Sequence, residues 1–143
     1  MVIVHTNEEK GVTIGAPFHR TIKVLLAPDK NDVKELTFSH VVLHARSQTD
    51  YHKHDRPELI FILSGAGVMK VEGKEYPIAP NYVYWVLKEE MHQMINTADN
   101  DMTFVTVFVP GYTAEENYKR CLDAAAAVAK AGAAGVTPKG GEA

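Results

Sequence analysis

The chain has 143 residues, a formal net charge of −3, 45% hydrophobic and 23% charged residues. That length supports one domain with a single core, and the ordinary composition argues against disorder except at the ends. Acidic and basic residues are intermixed, so nothing offers the basic surface that nucleic acid or an anionic membrane would require of a partner. No window approaches the ~20 apolar residues of a membrane span. Residues 1–5 are too short an apolar run for a secretory leader, and one cysteine, Cys121, excludes an internal disulfide. A cytoplasmic protein is expected.

Residues 1–20 carry two turn signals, Asn7-Glu8-Glu9-Lys10-Gly11 and Gly15-Ala16-Pro17, and read as an edge strand and loop. Residues 21–26 are β-branched and apolar, and Pro28-Asp29-Lys30-Asn31-Asp32 turns the chain. Residues 36–46 follow as a hairpin partner. Phe38, His40, Val42 and His44 share one face, with Thr37, Ser39, Val41, Leu43 and Ala45 on the other. Alternation alone leaves open which face looks inward.

Next comes Tyr51-His52-Lys53-His54-Asp55-Arg56-Pro57-Glu58, running into the apolar residues 59–63. In extended chain His52 and His54 point the same way, and Glu58 keeps their parity. A carboxylate at the edge of a buried strand is costly unless something pairs with it. A metal ion bound by all three side chains would provide that partner, and imidazole with carboxylate suits Fe, Mn, Ni, Co or Zn.

Gly65-Ala66-Gly67 makes a tight turn, residues 68–72 alternate, and Gly73-Lys74 closes the next turn. Pro77 and Pro80 keep residues 76–81 from being a central strand throughout. Residues 82–87 are aromatic and β-branched, hence a strand, and 102–109 form the last strand before Pro110-Gly111. About eight short strands with regular turns indicate an all-β barrel or sandwich. Thr113-Ala114-Glu115-Glu116 then has the capping-box pattern, and Tyr118, Cys121, Leu122, Ala125, Val128 and Ala129 recur at helical spacing. The expected organisation is a barrel over 1–112, a helix over 113–131 stopped by Gly132, and a flexible tail over 132–143.

The string His52-x-His54-x3-Glu58-x6-Gly65 resembles the first motif of the cupins, and His92-x3-Asn96 resembles the end of their second. Leu87 and Glu89 stand where that family usually has Pro and Gly before this His. The resemblance covers roughly residues 36–110. It implies a cupin-type double-stranded β-helix, or jelly-roll, barrel with one C-terminal α-helix, and a divalent transition metal held by His52, His54, Glu58 and His92. It also implies a place among dioxygenases, lyases, isomerases and sugar-binding or regulatory proteins.

Three neutral imidazoles and a carboxylate around a divalent ion leave a site near one positive charge with open positions, which favours anionic oxygen donors. The expected activity is metal-dependent chemistry on a small oxygen-rich organic acid or carbonyl compound, as a dioxygenase (an oxidoreductase) or a non-redox lyase or isomerase. The alternative is a non-catalytic sensing or binding barrel. His40 and His44 are the candidate general acid or base groups, against the plainer reading that they are surface histidines. Met94 is expected to line the cavity, Asn96 to brace the turn after His92, and Cys121 to be a small buried hydrophobe. The expected partners are a small-molecule substrate and a second copy in a homodimer.

Overall fold

A computed structural model describes residues 1–139, with side chains as far as residue 132. Among the described residues the strands are β1 (Val12–Ile14), β2 (Arg20–Leu26), β3 (Thr37–Leu43), β4 (Glu58–Ser64), β5 (Gly67–Val71), β6 (Lys74–Ile78), β7 (Val83–Val86), β8 (His92–Asn96) and β9 (Met102–Phe108). Two helices accompany them, α1 (Pro28–Asn31) and α2 (Ala114–Lys139). The expected turn after β2 is thus one helical turn, begun by Pro28 and closed by Asn31 Oδ1 accepting from Ala27 N at 3.0 Å.

Six strands form one sheet in the order β1-β2-β3-β9-β4-β7, and three form a second in the order β6-β5-β8. Each pairing between these strands is antiparallel. The two inner faces enclose the core, with Ile22, Val24, Val41, Leu43, Ile60, Ile62 and Phe104 from the larger sheet meeting Met69, Ile78 and Met94 from the smaller. Burying a side chain such as Ile60 stabilises by about 1.5–3 kcal/mol relative to leaving it exposed. Pro77 lies in β6, an edge strand, where its missing N–H breaks no central ladder.

β3 resolves the alternation left open by the sequence. Thr37, Ser39, Val41 and Leu43 are buried, whereas Phe38, His40 and Val42 are only half-buried on the outer face. The small apolar set looks into the barrel and the histidine-bearing set looks out.

Between β3 and β4 the chain lies along the free edge of β8 without becoming a regular strand. Thr49 N donates to Met94 O at 2.9 Å and Asn96 N to Ser47 O at 2.8 Å, and His52 and His92 exchange backbone hydrogen bonds at 3.0 and 2.8 Å. Those bonds bring His52 beside His92. At the far end of β4, Gly65 has φ 95°, and a Cβ there would sit 2.7 Å from Met102 Cα. Glycine is therefore required by both conformation and space.

The capping box opens α2 as expected: Glu116 N donates to Thr113 Oγ1 at 3.0 Å, and Thr113 N to Glu116 Oε1 at 3.0 Å. Asp29 accepts from Ala114 N at 2.7 Å, and Tyr118 OH accepts from Val24 N at 2.8 Å, beside an irregularity in the β2–β3 register. The first turns of α2 are thereby fastened across the barrel, with Asn117 and Cys121 buried. The helix does not stop at Gly132 but runs to Lys139, because the alanine-rich stretch propagates well and each of Gly132 and Gly135 costs only about 1 kcal/mol, with Pro138 falling at the very end. Residues 140–143 of the expected tail lie outside the described residues.

Candidate metal centre

His52, His54, Glu58 and His92 converge: one ligand atom from each lies within 4.8 Å of the others. Glu58 is the first residue of β4 and points inward with Ile60 and Ile62, while His92 opens β8 on the facing sheet. His54 belongs to the incoming loop, which is clamped from outside. Arg56 lies 3.7 Å over the Tyr112 ring and donates to Gly111 O at 3.0 Å, and Tyr112 OH donates to Asp55 at 2.6 Å. Burial, then that bond to Asp55, pushes the Tyr112 phenol up to about 12, so it stays a donor.

The tautomers follow from the outer partners of each ring. His52 Nδ1 donates to Asp50 O at 2.7 Å, and His92 Nδ1 donates to Glu90 O at 2.9 Å, which leaves each Nε2 turned toward the cluster. His92 Nε2 is 3.1 Å from Glu58 Oε1. His54 is 5% exposed and neither ring nitrogen has a hydrogen-bond partner; its Nε2 lies 3.4 Å from Glu58 Oε1 but out of line for a bond. A buried imidazole with no partner is costly. A divalent ion among the four side chains would give that nitrogen its partner, so the residues fit a transition metal with N and O ligands.

Electrostatics agree with ligands ready to bind. Burial, then the charge of Arg120, holds His52 down to about 3, so its imidazole is neutral. Burial alone would raise Glu58, but His54 and His92 outweigh it and keep the carboxyl ionised.

His52, Glu58 and His92 line a partly open cavity of about 50 Å³. Other parts of its wall come from Arg20 on β2, Ser39 on β3, Thr106 on β9, Met94 on β8, and Asn117, Arg120 and Cys121 on α2. Asp50 joins this wall to the cluster: its carboxylate lies 3.2 Å from Arg20, 3.5 Å from Arg120 and 3.3 Å from His52 Nδ1. Met94 lines the cavity as expected, and Cys121 is buried. Asn96 Nδ2 donates to Leu43, His44 and Asn100 carbonyls at 3.0, 3.2 and 2.9 Å, bracing the turn after β8.

Glu89 has φ 66°, the left-handed conformation, and its N–H donates to His54 O at 2.8 Å. The turn before His92 thus adopts a glycine-type conformation without glycine.

The structure does not bring His40 and His44 to this site. His40 sits on the outer face of β3 between Lys23 and Val105, and His44 Nε2 bonds Thr21 Oγ1 at 3.0 Å while its ring lies 4.2 Å from that of His19. Inward direction belongs to the opposite parity of that strand, so an acid or base role in the cavity has no geometric support for either residue. Sequence reasoning missed Arg20, Ser39, Asp50, Asn117 and Arg120. Arg20 was detectable as a charge in phase with Ile22 and Val24, and Asn117 and Arg120 as polar neighbours of Cys121 on one helical face.

Residues 39–108 match the Cupin domain family. The chain is 30% identical over 97 residues to L-ectoine synthase of Aliivibrio fischeri, covering 67% of this chain and 73% of that protein. It belongs to the cupins. An oxalate-binding protein of Thermotoga maritima is 31% identical to this cupin over 86 residues, covering 59% of this chain and 71% of that one. The crystal structure of a predicted oxalate decarboxylase from the same organism superposes with a TM-score of 0.69 at 26% identity, covering 76% of this chain and 99% of that one. The cupin barrel with its C-terminal helix is thereby the architecture of this chain. No described helix is long and apolar enough to cross a membrane.

Proposed function

We propose that this cupin binds one divalent transition metal through His52, His54, Glu58 and His92 and holds a compact carboxylic acid against it, with non-redox turnover of lyase or synthase type. The observation that carries this reading is the convergence of four ligand atoms within 4.8 Å around a buried histidine whose ring nitrogens lack partners. When bound, the ion supplies a Lewis acid at the end of the cavity. The chain's own residues orient and enclose. Asp50 and Glu90 carbonyls fix the tautomers of His52 and His92. Arg20 and Arg120 supply positive charge opposite an entering carboxylate, and α2 closes part of the wall with Asn117 and Cys121. The names of the relatives, a synthase, an oxalate-binding protein and a predicted decarboxylase, favour small acids and give the dioxygenase alternative no support.

Metal analysis of the purified protein tests this. About one equivalent of Mn, Fe, Ni, Co or Zn is expected in the wild type, with uptake of the acid monitored by calorimetry. A protein that takes up none of these ions in titration removes the reading.

A second reading, binding without turnover, is favoured by one observation. Outside the ligand set the polar lining of the cavity consists of Arg20, Ser39, Thr49, Thr106, Asn117 and Arg120, with the thiol of Cys121. The hydroxyl, amide and guanidinium groups hold an anion well and take a proton from it poorly. Recovery of oxalate unchanged after prolonged incubation with metal-loaded protein supports this version; a product supports the enzyme.

The expected homodimer is also a proposal. β7 is a free sheet edge, and Val83 and Trp85 on it are 59% and 55% exposed. An antiparallel edge meeting its own copy across a two-fold axis is self-complementary. Sedimentation is expected to give a dimer that Trp85→Glu dissociates, and a monomeric wild type sinks the proposal.

A further inference from the structure

Resting on the metal centre proposed above, we infer that the cavity contains a second, anion-specific subsite built by Arg20, Ser39 and Arg120, and that its ligand is therefore a compact dianion, a dicarboxylate of about two to four carbons.

The charges on the page point to two negative charges. Two guanidiniums, Arg20 and Arg120, share a single carboxylate, Asp50, at 3.2 and 3.5 Å. Glu58 is the other buried acid of the cavity, and imidazoles that hold an ion do so as neutral rings. Two guanidiniums against two carboxylates cancel, so a divalent ion held by neutral imidazoles leaves two positive charges among buried groups. Such an imbalance is expensive among buried groups. A monoanion removes half of it, and a dianion removes all of it.

Ser39 supplies an independent observation. It is 1% exposed, lies on the inward face of β3, and its Oγ has no hydrogen-bond partner. A buried hydroxyl without a partner in the cavity wall is a vacant donor, which a carboxylate oxygen satisfies. Arg20 is 3% exposed and anchored by its bond to Phe18 O at 3.2 Å, so a guanidinium edge is held in place before any ligand arrives. Arg120 comes from α2, and it is the more exposed of the pair, with 33% of its side chain accessible. It closes the subsite from the helix side.

Size limits the class. A cavity of about 50 Å³ accommodates a few atoms beyond the ion, far below the ~300–1,000 Å³ of pockets for drug-sized ligands. A sugar or a long-chain acid exceeds that volume.

The test compares oxalate with oxamate, which has the same shape and one carboxylate replaced by an amide, on Mn(II)-loaded protein by calorimetry. Wild type is expected to favour oxalate strongly. Arg120→Gln is expected to lower the oxalate-to-oxamate affinity ratio at least tenfold, with about one equivalent of manganese still bound. Ser39→Ala, which removes no bond within the protein, is expected to weaken oxalate severalfold with no change in melting temperature. An unchanged ratio in Arg120→Gln with full affinity in Ser39→Ala overturns the subsite while leaving the metal centre intact. A wild type that binds no manganese overturns both.

Discussion

Two histidine groups lie within fifteen residues of each other and meet different fates. His40 stands on the outer face of a regular strand, and His44 follows just past its end and bonds Thr21 there. His52 and His54 lie on an irregular segment that two isolated bridges tie to β8, yet they reach the ligand cluster. Regularity of the strand did not predict function. A histidine reaches the cavity when its neighbours in the ladder force it there, as the paired backbone bonds between His52 and His92 do. Common parity assigns residues to the same side and does not say which side.

The largest expected effect comes from removing a ligand on the inner group. His54→Ala should reduce metal affinity by more than about 100-fold, since disturbing an outer partner of a ligand alone costs about 10–100-fold. Equilibrium competition with a chelator measures it. Retention of wild-type affinity would show that His54 is a buried bystander like those on the outer face.

Asp50→Asn should follow, with a loss near the lower end, about tenfold, because the Asp50 carbonyl still orients His52 while the charge that neutralises Arg20 and Arg120 is gone. The same chelator competition applies, and an unaltered constant would confine Asp50 to structural work.

A smaller effect concerns the turn that delivers His92. Glu89→Gly relieves a left-handed non-glycine residue, a strain of about 1–2 kcal/mol, against a glycine entropy cost of about 0.5–1 kcal/mol. Urea denaturation should give a gain of up to about 1 kcal/mol with metal content unchanged. A loss of stability would mean that Glu89 makes a contribution beyond its backbone shape.

The smallest effect is on the outer group. Burial, then the Lys23 charge, lowers the pKa of His40 below its ordinary 6.5. The unfolded chain therefore takes up a proton near pH 6.5 that the folded chain refuses until lower pH, so His40 costs stability as the pH falls through that window. Wild type should lose stability from about pH 7 to pH 5 faster than His40→Gln, with both binding metal equally. Parallel stability curves would contradict the burial argument, and lost metal binding would place His40 in the inner group after all.

Much of the inner group was legible beforehand. The spacing of His52, His54 and Glu58, the apolar run behind them, and the His92-x3-Asn96 ending all marked residues that the fold does bring together. The capping box at Thr113 and the bracing by Asn96 were legible too, because both are local hydrogen-bond patterns written within a few residues. Arg20, Ser39, Asp50 and Arg120 were not, since they come from separate elements and only share a cavity once α2 is laid across the barrel. The helix running past Gly132 was misjudged because a single glycine was weighed more heavily than the alanines around it.

Residue types and their order were enough to determine an all-β barrel with a helix behind it and to mark four side chains that the fold gathers into one cluster, because alternation, turn chemistry and residue spacing act over short stretches of chain. Only the tertiary structure decided which side of β3 faces inward and which charges surround the cavity. Those outcomes depend on long-range pairing and on how α2 packs, and contacts between residues 20, 39, 50 and 120 have no local signature.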